Sequence, residues 1–363
     1  MSQLGLGMAH DDAPTGRAAR PGGAGRGPLL VAVAALVVVA LGVFFGVRSL
    51  SGGTADDYSG DGTGSVSIVV AKGDTLRAIG RTLTDAGVVA SADVFVNVAE
   101  SDSRAQSIAP GTYRLHAGMS ADAAVTMLLD PSSRQVLKLA VPEGWRLEKT
   151  VAAAVKATGI PEDQLKESLS RAGSLGLPAY AEGDPEGFLF PATYEFQPGV
   201  TPDAVVTAML KRFGQAATDA DLAASAKALG RSPLEVLTVA SILEIEGSPD
   251  DYDKVARVLY NRLKAGMPLQ LDSTVNYALG TANLHLTADQ LKTDSPYNTY
   301  RNKGLPPGPI NSPGDAAIQA ALAPATGTWL YFVTTDPATQ TTEFATTYAD
   351  FLKLKKKFQA NAG

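Results

Sequence analysis

The chain has 363 residues, and its 31 Lys and Arg against 37 Asp and Glu give a formal net charge of −6, which argues against a nucleic-acid-binding protein. It is 45% hydrophobic, enough to bury a core, and it contains no cysteine, which excludes disulfides, thiolate nucleophiles and cysteine-ligated metals. The histidines His10, His116 and His285 are too scattered for a local metal cluster, and no P-loop or GxSxG motif is present, so we expect neither a metal nor a cofactor.

The first feature along the chain is an unbroken apolar stretch at residues 29–47, LLVAVAALVVVALGVFFGV. It is about long enough to cross a hydrocarbon core of ~30 Å as a helix. A cleaved signal peptide would have a shorter apolar region and a small-x-small cleavage site, whereas Arg48 follows this stretch. We interpret it as an uncleaved transmembrane anchor, with a cleaved signal peptide as the alternative.

The charges beside this stretch predict its orientation. Arg17, Arg20 and Arg26 precede it, and the acidic residues lie mostly after it. The positive-inside rule therefore places the N-terminus in the cytoplasm and the rest of the chain outside the membrane. Residues 1–28, rich in Gly and Pro, are expected to be a disordered cytoplasmic stub, and residues 48–64 a flexible linker.

Residues 65–141 predict a small α+β domain. SVSIVV indicates a strand, and Asp74 is a plausible N-cap for the helix TLRAIGRTLTDAG. A second helix follows at 92–99, GTYRL indicates a strand, Ser120 caps a helix that ends near Leu129, and QVLKLAV at 135–141 indicates a last strand. The opening strand, KGDTL and helix resemble the LysM fold, which binds cell-wall glycans. An ordinary strand-to-helix turn is the alternative.

Residues 142–363 predict a mostly helical second domain. Its helical periods are bounded by Gly, Pro or capping residues and cover 146–158, 161–171, 201–214, 219–229, 232–246 and 251–265. TWLYFVT and TEFATT flank a turn that begins at Asp336 and predict a β-hairpin, and a final helix is expected around 347–357. The fold class is therefore α+β, with a single N-terminal transmembrane helix.

The helix at 232–246, SPLEVLTVASILEIE, is apolar on nearly all sides, which predicts that it is buried. At ~100° per residue, Glu246 falls on the same edge as Glu235, whereas Glu244 aligns with the apolar Leu237. Glu244 is thus the carboxylate that we expect to lie furthest toward the interior. Burial favours the protonated form of a carboxyl group, and a protonated carboxyl can donate to a glycosidic oxygen.

A plain structural role for Glu244 is equally compatible with this helix. A glutamate in the last turn could pair with a basic side chain of the next helix, such as Arg257 or Arg262. The helix alone does not decide between the acid and the ion pair.

Five motifs, in this order and spacing, resemble the MltG (YceG-like) family of endolytic murein (lytic) transglycosylases: EGFLFPATY, ASILEIE, LYNRLKAGMPLQLDSTVNYALG, SPYNTY and GLPPGPINSPG. The resemblance covers about residues 65–360. It implies a LysM-like domain, a lysozyme-like catalytic domain, and a single-pass anchor in the plasma membrane of a bacterium. It also implies an enzyme outside that membrane that cleaves MurNAc–GlcNAc bonds of nascent peptidoglycan strands, terminates their elongation, and has cell-wall synthases as protein partners.

The resemblance also implies site residues. The family's catalytic glutamate occupies the ASI-x-E position, which is Glu244 in this chain. Looser similarity to other lytic transglycosylases assigns glycan binding to a set in the later motifs: Gln270, Asp272, Thr274, Tyr297, Asn298 and Tyr300. Glu246 and Tyr194 are expected to support the site. The chain departs from the usual family residues at Ala192, Ser273 and Ile245.

The implied mechanism needs one carboxyl group. Glu244 protonates the oxygen that leaves C1 of N-acetylmuramic acid, and the same residue, as carboxylate, then deprotonates the C6 hydroxyl of that sugar, which closes a 1,6-anhydro ring. Two alternatives remain. One is a muramidase that uses water, with Asp272 or Asp294 as the second carboxylate, and the other is a non-catalytic wall-binding anchor.

Overall fold

The computed structural model describes residues 56–361 except 284, 337 and 340. The predicted cytoplasmic stub, the predicted transmembrane helix and residues 48–55 of the predicted linker lie outside the described residues. Within the described part, no helix combines the length and the apolar character that crossing a bilayer requires. The secondary structure there is a mixture of helices and small antiparallel sheets, so the α+β fold class is confirmed.

The first part of the chain forms a three-stranded antiparallel sheet with helices packed against it. The sheet has the order β1-β2-β3, and residues such as Leu83, Phe95 and Leu115 form a hydrophobic core with no exposed surface. The elements are β1 (Thr63–Val70), α1 (Leu76–Asp85), α2 (Ala92–Ser101), β2 (Gly111–Ala117), α3 (Ala121–Leu129) and β3 (Arg134–Gln135).

The caps of two of these helices test the sequence predictions directly. Ser120 caps α3 as expected, because its hydroxyl accepts a hydrogen bond from the Ala123 amide at 3.2 Å. The prediction for Asp74 was wrong. The N-cap of α1 is Thr75, while the Asp74 carboxylate accepts from the Ala71 amide at 2.7 Å and closes the preceding turn.

The strand predicted at 135–141 is divided between two sheets. Gln135 pairs with Thr112 of β2, whereas β4 (Leu137–Val141) pairs antiparallel with β5 (Ala192–Phe196). The side chains of Leu139 and Val141 lie in a second, larger hydrophobic cluster. Alternation of apolar and polar residues identifies a strand but not its partner, which is why one pattern covered both strands.

The larger cluster is formed mainly by helices. Every helix predicted from residue 146 to residue 265 is present, with shifts of a few residues at the ends. The helices are α4 (Leu147–Thr158), α5 (Glu162–Ser170), α6 (Pro202–Asp219), α7 (Leu222–Ala228), α8 (Pro233–Glu246), α9 (Tyr252–Lys264), α10 (Asp272–Ala278) and α11 (Asp315–Leu322). Short 3₁₀ turns lie at Ser103–Ser107, Pro131–Ser133, Ala172–Leu175, Ala179–Ala181 and Gln290–Lys292.

Helix α8 lies at the centre of this cluster. Ser232 and Glu235 form a capping box at its start, and Pro233 occupies the first turn. Every residue from Val236 to Leu243 is exposed by 1% or less, because α9, α11 and neighbouring segments cover the helix on all sides. The prediction of a buried helix is confirmed, and its last turn carries Glu244 to the edge of the core.

The chain ends in the predicted hairpin and helix. Strands β6 (Tyr331–Asp336) and β7 (Thr341–Ala345) pair antiparallel, and α12 (Tyr348–Asn361) follows. The hairpin is joined to the helical cluster through α9, where Arg262 Nε donates to the Leu330 carbonyl oxygen at 2.6 Å.

Candidate active site

Glu244 is half-buried in the last turn of α8, and both of its carboxylate oxygens accept hydrogen bonds. Oε1 accepts from the Tyr252 hydroxyl at 2.9 Å, and Oε2 accepts from the Gly314 backbone N–H at 2.8 Å. Gly314 is the residue that precedes α11, so the carboxylate lies at the N-terminal end of that helix. The start of α9, eight residues further along the chain, and the residue before α11, 70 residues further along, therefore fix the orientation of this side chain.

The structure excludes the two proposed ion pairs for Glu244. Arg257 donates through Nη2 to the Pro324 carbonyl oxygen at 3.3 Å and through Nε to that of Ala325. Arg262 donates to the backbone carbonyl oxygens of Leu330, next to the hairpin, and of Leu269, in the segment before α10. Among the described residues, no salt bridge involves Glu244.

A second carboxyl group lies near Glu244, and the sequence analysis did not identify it. Glu143 follows strand β4, and its carboxyl packs directly against the α-carbon of Gly314. Burial of this end of the side chain, together with the charges of Glu244 and Asp315, raises the pKa of Glu143. The available signal was an acidic residue two positions after a predicted strand and directly before a glycine, a position typical of functional loops.

The loop that carries Glu143 is held by backbone hydrogen bonds. Gly144 donates to the Ser312 carbonyl oxygen and Ser312 donates to that of Trp145, both at 2.9 Å. Gly144 has a left-handed φ of +72°, and a Cβ at this position would lie 3.5 Å from Cγ of Glu244. That distance is ordinary van der Waals contact, so it is the left-handed φ of residue 144 that favours glycine here.

A cleft of about 650 Å³ opens beside this turn of α8. Ile245 is 53% exposed and lines the cleft, although an apolar side chain at this position of the buried helix was expected to lie inside. The other lining residues include Trp145, Lys149, Asn276, Asn283 and Asn311. A larger hollow of about 760 Å³ lies along α6, and none of the predicted site residues lines it.

Glu246 has a different environment from the one that the helix periodicity indicated. Its Oε1 accepts from the Ser273 backbone N–H at 3.3 Å, so the segment leading into α10 covers it. Burial raises the pKa of Glu246, against the opposing effects of Ser273 and of the charge of Arg262. Only Glu235 lies on a surface edge, where the capping box and Arg231 lower its pKa.

The predicted binding residues Gln270, Asp272 and Tyr300 lie close together. Gln270 is exposed with a left-handed φ of +53°, and its backbone N–H donates to the Thr299 carbonyl oxygen at 3.1 Å. The Tyr300 hydroxyl donates to Asp272 Oδ1 at 2.6 Å. The structure therefore brings an exposed amide and a tyrosine–carboxylate pair together near the start of α10.

Thr274 and Asn298, which were also expected to bind the glycan, are buried. Both have no exposed surface. The Thr274 hydroxyl donates to the Leu271 carbonyl oxygen at 2.8 Å, and Asn298 Nδ2 donates to two carbonyl oxygens of the preceding loop. The expectation that they contact a glycan directly is not supported, because their polar atoms are used to hold the loops that carry the neighbouring residues.

Tyr297 belongs to a network that the sequence analysis missed in part. The centroid of its ring lies 4.7 Å from that of Tyr277, and the guanidinium carbon of Arg146 lies 5.4 Å from the Tyr277 centroid. Glu186, 5% exposed, accepts from the Leu147 backbone N–H at 3.0 Å, and burial raises the pKa of Glu186 to about 7. Glu186 opens the motif EGFLFPATY, which was the available signal for it.

The remaining two residues, Tyr194 and Asp294, have partners other than Glu244. Tyr194 is 8% exposed, and its hydroxyl donates to the Phe190 carbonyl oxygen at 2.5 Å, so it lies in the core. Asp294 is exposed and lies 3.8 Å from Arg301. In the part of the chain that is described, no three acidic or histidine side chains are grouped to hold a metal ion.

The chain is similar in sequence and in fold to known proteins. The family model described as the YceG-like family matches residues 68–357. A Bacillus subtilis (strain 168) protein named endolytic murein transglycosylase is 32% identical over 292 residues, which cover 75% of this chain and 79% of that protein. A Streptococcus pneumoniae serotype 2 protein of the same name is 30% identical over 74% of this chain, and the match spans 54% of its own length.

A solved structure shares the fold. The crystal structure of a YceG-like protein from Listeria monocytogenes aligns with a TM-score of 0.56 and 29% sequence identity. The alignment covers 80% of this chain and 98% of that one.

Proposed function

The chain belongs to the YceG-like family, and we propose that it is a lytic transglycosylase that cleaves the glycan strands of peptidoglycan. The observation that carries this proposal is the position of Glu244. A carboxyl group at the end of a buried helix, held by Tyr252 and Gly314 beside a cleft of about 650 Å³, can exchange protons with a bound polymer.

The proposed reaction uses Glu244 twice. The protonated carboxyl transfers its proton to the glycosidic oxygen that leaves C1 of N-acetylmuramic acid as the C1–O bond breaks. The resulting carboxylate accepts the proton of the C6 hydroxyl, whose oxygen bonds to C1 and closes the 1,6-anhydro ring. The new ends are therefore 1,6-anhydro-N-acetylmuramic acid, and Glu244 regains its proton.

Ring closure is favoured over attack by water for two reasons. An intramolecular hydroxyl has a high effective molarity, whereas a water molecule must be ordered. In addition, Asp272, the first candidate for a second carboxylate, accepts a hydrogen bond from Tyr300 at 2.6 Å and is thereby engaged in a fixed pair. This arrangement supports the transglycosylase more than the muramidase.

The finer features of the proposal extend beyond the site. We assign a LysM-like fold to the first α+β region, a lysozyme-like fold to the helical region, and glycan contacts to Gln270 and to the exposed parts of Tyr297 and Tyr300. We also propose that residues 29–47 anchor the protein in the plasma membrane with the N-terminus in the cytoplasm. In that position the enzyme would cleave nascent strands next to the synthases that make them.

The test is a digest of purified peptidoglycan by the full-length chain in detergent, with the released fragments analysed by mass spectrometry. We expect ends that are lighter by one water than reducing ends and that resist borohydride reduction. The Glu244→Gln variant should release almost nothing. Predominantly reducing ends would contradict the proposal in favour of a muramidase, and an absence of Glu244-dependent cleavage would favour a wall-binding anchor.

A further inference from the structure

The cleft beside Glu244 has a lining that the sequence analysis did not identify. Among the described residues that line it, none belongs to the set predicted to bind the glycan. Its walls come from the loop after β4, from the ends of α8 and α10, and from the segment before α11. Its volume of about 650 Å³ is that of an ordinary ligand site. A ligand in this cleft would therefore contact residues to which no role has been given.

Two large apolar side chains line this cleft close to Glu244. Ile245 directly follows Glu244 and is 53% exposed, although the preceding turns of α8 are buried. A Cβ at Gly144, the residue before Trp145, would lie 3.8 Å from Cδ1 of Ile245. Trp145 itself is half-buried and lines the same cleft. A single exposed apolar residue is ordinary on a protein surface, whereas two that share a cleft form a surface that a ligand can cover.

Contacts on two sides hold Trp145 in place. Its carbonyl oxygen accepts a hydrogen bond from the Ser312 backbone N–H at 2.9 Å. Lys149 Nζ lies over the indole ring, 4.3 Å from its centroid, and the attraction between the ammonium and the ring favours this orientation. Ser312 lies two residues before Gly314, whose N–H donates to Glu244. The same segment therefore positions both the ring and the carboxyl group.

We propose that Trp145 and Ile245 form an apolar wall against which one sugar ring of the bound glycan packs, next to the bond that Glu244 cleaves. This inference rests on the proposed function and adds two substrate-binding residues to it. An N-acetylated sugar has an apolar face of C–H groups, an acetamide methyl group and a polar rim.

The residues of the cleft match both parts of such a sugar. An indole ring offers the flat apolar surface that the C–H face requires, and Ile245 extends this surface toward Glu244. The side chains of Lys149 and Asn283 are exposed and line the same cleft, where they can bind hydroxyl and acetamide groups.

The inference predicts how substitutions in the wall change the kinetics. Packing against a sugar that is not itself altered contributes equally to the bound substrate and to the transition state, so its loss raises KM and leaves kcat nearly unchanged. We expect Trp145→Ala to raise KM by about 10-fold, and Trp145→Phe, which keeps a flat ring, to recover most of this loss. Ile245→Ser removes a smaller apolar surface and should raise KM by about 3-fold.

The kinetic experiment uses the full-length chain in detergent and soluble, uncrosslinked peptidoglycan strands. The matched control is Leu352→Ser, which replaces another apolar side chain, 41% exposed on α12, and should leave KM unchanged. Circular dichroism of each variant checks the fold.

A second measurement observes the ring directly, because the chain contains two tryptophans. In the double variant Trp329→Phe, Glu244→Gln, Trp145 is the remaining tryptophan and the strands are not cleaved. We expect bound strands to protect the fluorescence of Trp145 from quenching by acrylamide. In the control Trp145→Phe, Glu244→Gln, the fluorescence comes from Trp329 beside the hairpin and should be quenched equally with and without strands.

The outcomes separate this inference from the proposed function. If the parent protein cleaves with a need for Glu244 while Trp145→Ala and Ile245→Ser keep the parental KM, the wall does not bind substrate and the function stands. A fall in kcat at unchanged KM would assign the two residues another role and would overturn the inference. Strands that co-sediment with the protein without protecting Trp145 would also overturn it. If Glu244→Gln is as active as the parent protein, the proposed function itself fails.

Discussion

Two glutamates in the last turn of α8, Glu244 and Glu246, make similar hydrogen bonds but have different charged neighbours. On one side, Glu244 accepts a hydrogen bond from the backbone N–H of Gly314, just before α11, at 2.8 Å. On the other, Glu246 accepts from the backbone N–H of Ser273, at the start of α10, at 3.3 Å. Each glutamate thus joins α8 to the beginning of a later helix.

The two glutamates differ in the charge of the groups next to them. Arg262 lies near Glu246, and the attraction between their charges favours the ionised glutamate. Glu244 has Tyr252 as a neutral donor and Glu143 as a second acidic group, and it borders the residues that line the cleft. Burial alone therefore does not identify the catalytic acid, because Glu246, whose pKa burial raises, also has a cationic neighbour in Arg262.

The largest expected effect separates the two glutamates. Glu244→Gln keeps the size of the side chain and an acceptor oxygen but cannot transfer a proton, so strand cleavage should fall by a factor of about 10² or more. Glu246→Gln keeps the acceptor for the Ser273 amide and should lower cleavage much less. Both rates are measured on purified peptidoglycan, with the fold checked by circular dichroism. Comparable losses in the two variants would remove the distinction between the two sides.

A smaller effect is expected at Gly314, which contacts both acidic residues on the active side. A methyl group at this position would overlap the Glu143 carboxyl, so Gly314→Ala must displace that side chain and disturb the hydrogen bond to Glu244. We expect cleavage to fall by about 10-fold, which corresponds to about 1.4 kcal/mol of lost transition-state stabilisation.

The matched control for Gly314 is Gly173→Ala. A Cβ at residue 173 would meet no atom within 4 Å, so this variant should retain full activity. Both variants are compared in cleavage rate and melting temperature. A fully active Gly314→Ala would mean that the contact between Glu143 and Gly314 does not matter for the reaction.

Much of the helical framework of this site could be predicted from the sequence. Ser232, Pro233 and the apolar run after them define α8, which the structure places at Pro233–Glu246. These signals are local, since a cap, a proline and a 3.6-residue period all act within a few turns. The same holds for α3, which Ser120 caps.

The surroundings of the glutamates could not be predicted in this way. Gly314 lies 70 residues beyond Glu244, and the loop with Glu143 lies about 100 residues before it in sequence. No local pattern indicates that these segments meet, because their contact depends on how the helices pack. The helices α10 and α11 were not predicted for a related reason. They are short, and they begin within loops rich in proline, asparagine and glycine, where turn signals dominate.

The smallest expected effect extends the comparison to a third glutamate, Glu186, which lies under the neighbouring loops. Burial raises the pKa of Glu186 to about 7, whereas the unfolded chain has the ordinary value near 4.5. A carboxyl whose pKa is raised by folding contributes its full stability below pH 4.5, and that contribution is lost as the pH rises through about 7. The shift corresponds to at most about 3 kcal/mol, so the melting temperature should fall by a few degrees between pH 5 and pH 8.

The Glu186→Gln variant tests whether this glutamate causes that slope. Glutamine keeps an acceptor oxygen for the Leu147 amide, and its side-chain amide does not titrate. The variant should therefore be as stable as the parent protein at pH 5 and more stable at pH 8. Scanning calorimetry of both proteins at several pH values measures the difference, and the other titrating groups cancel because they are common to both. Equal slopes in the two proteins would show that Glu186 does not ionise in the folded state over this range. A flatter slope in the variant would show that a buried glutamate without a cationic neighbour weakens the fold at neutral pH.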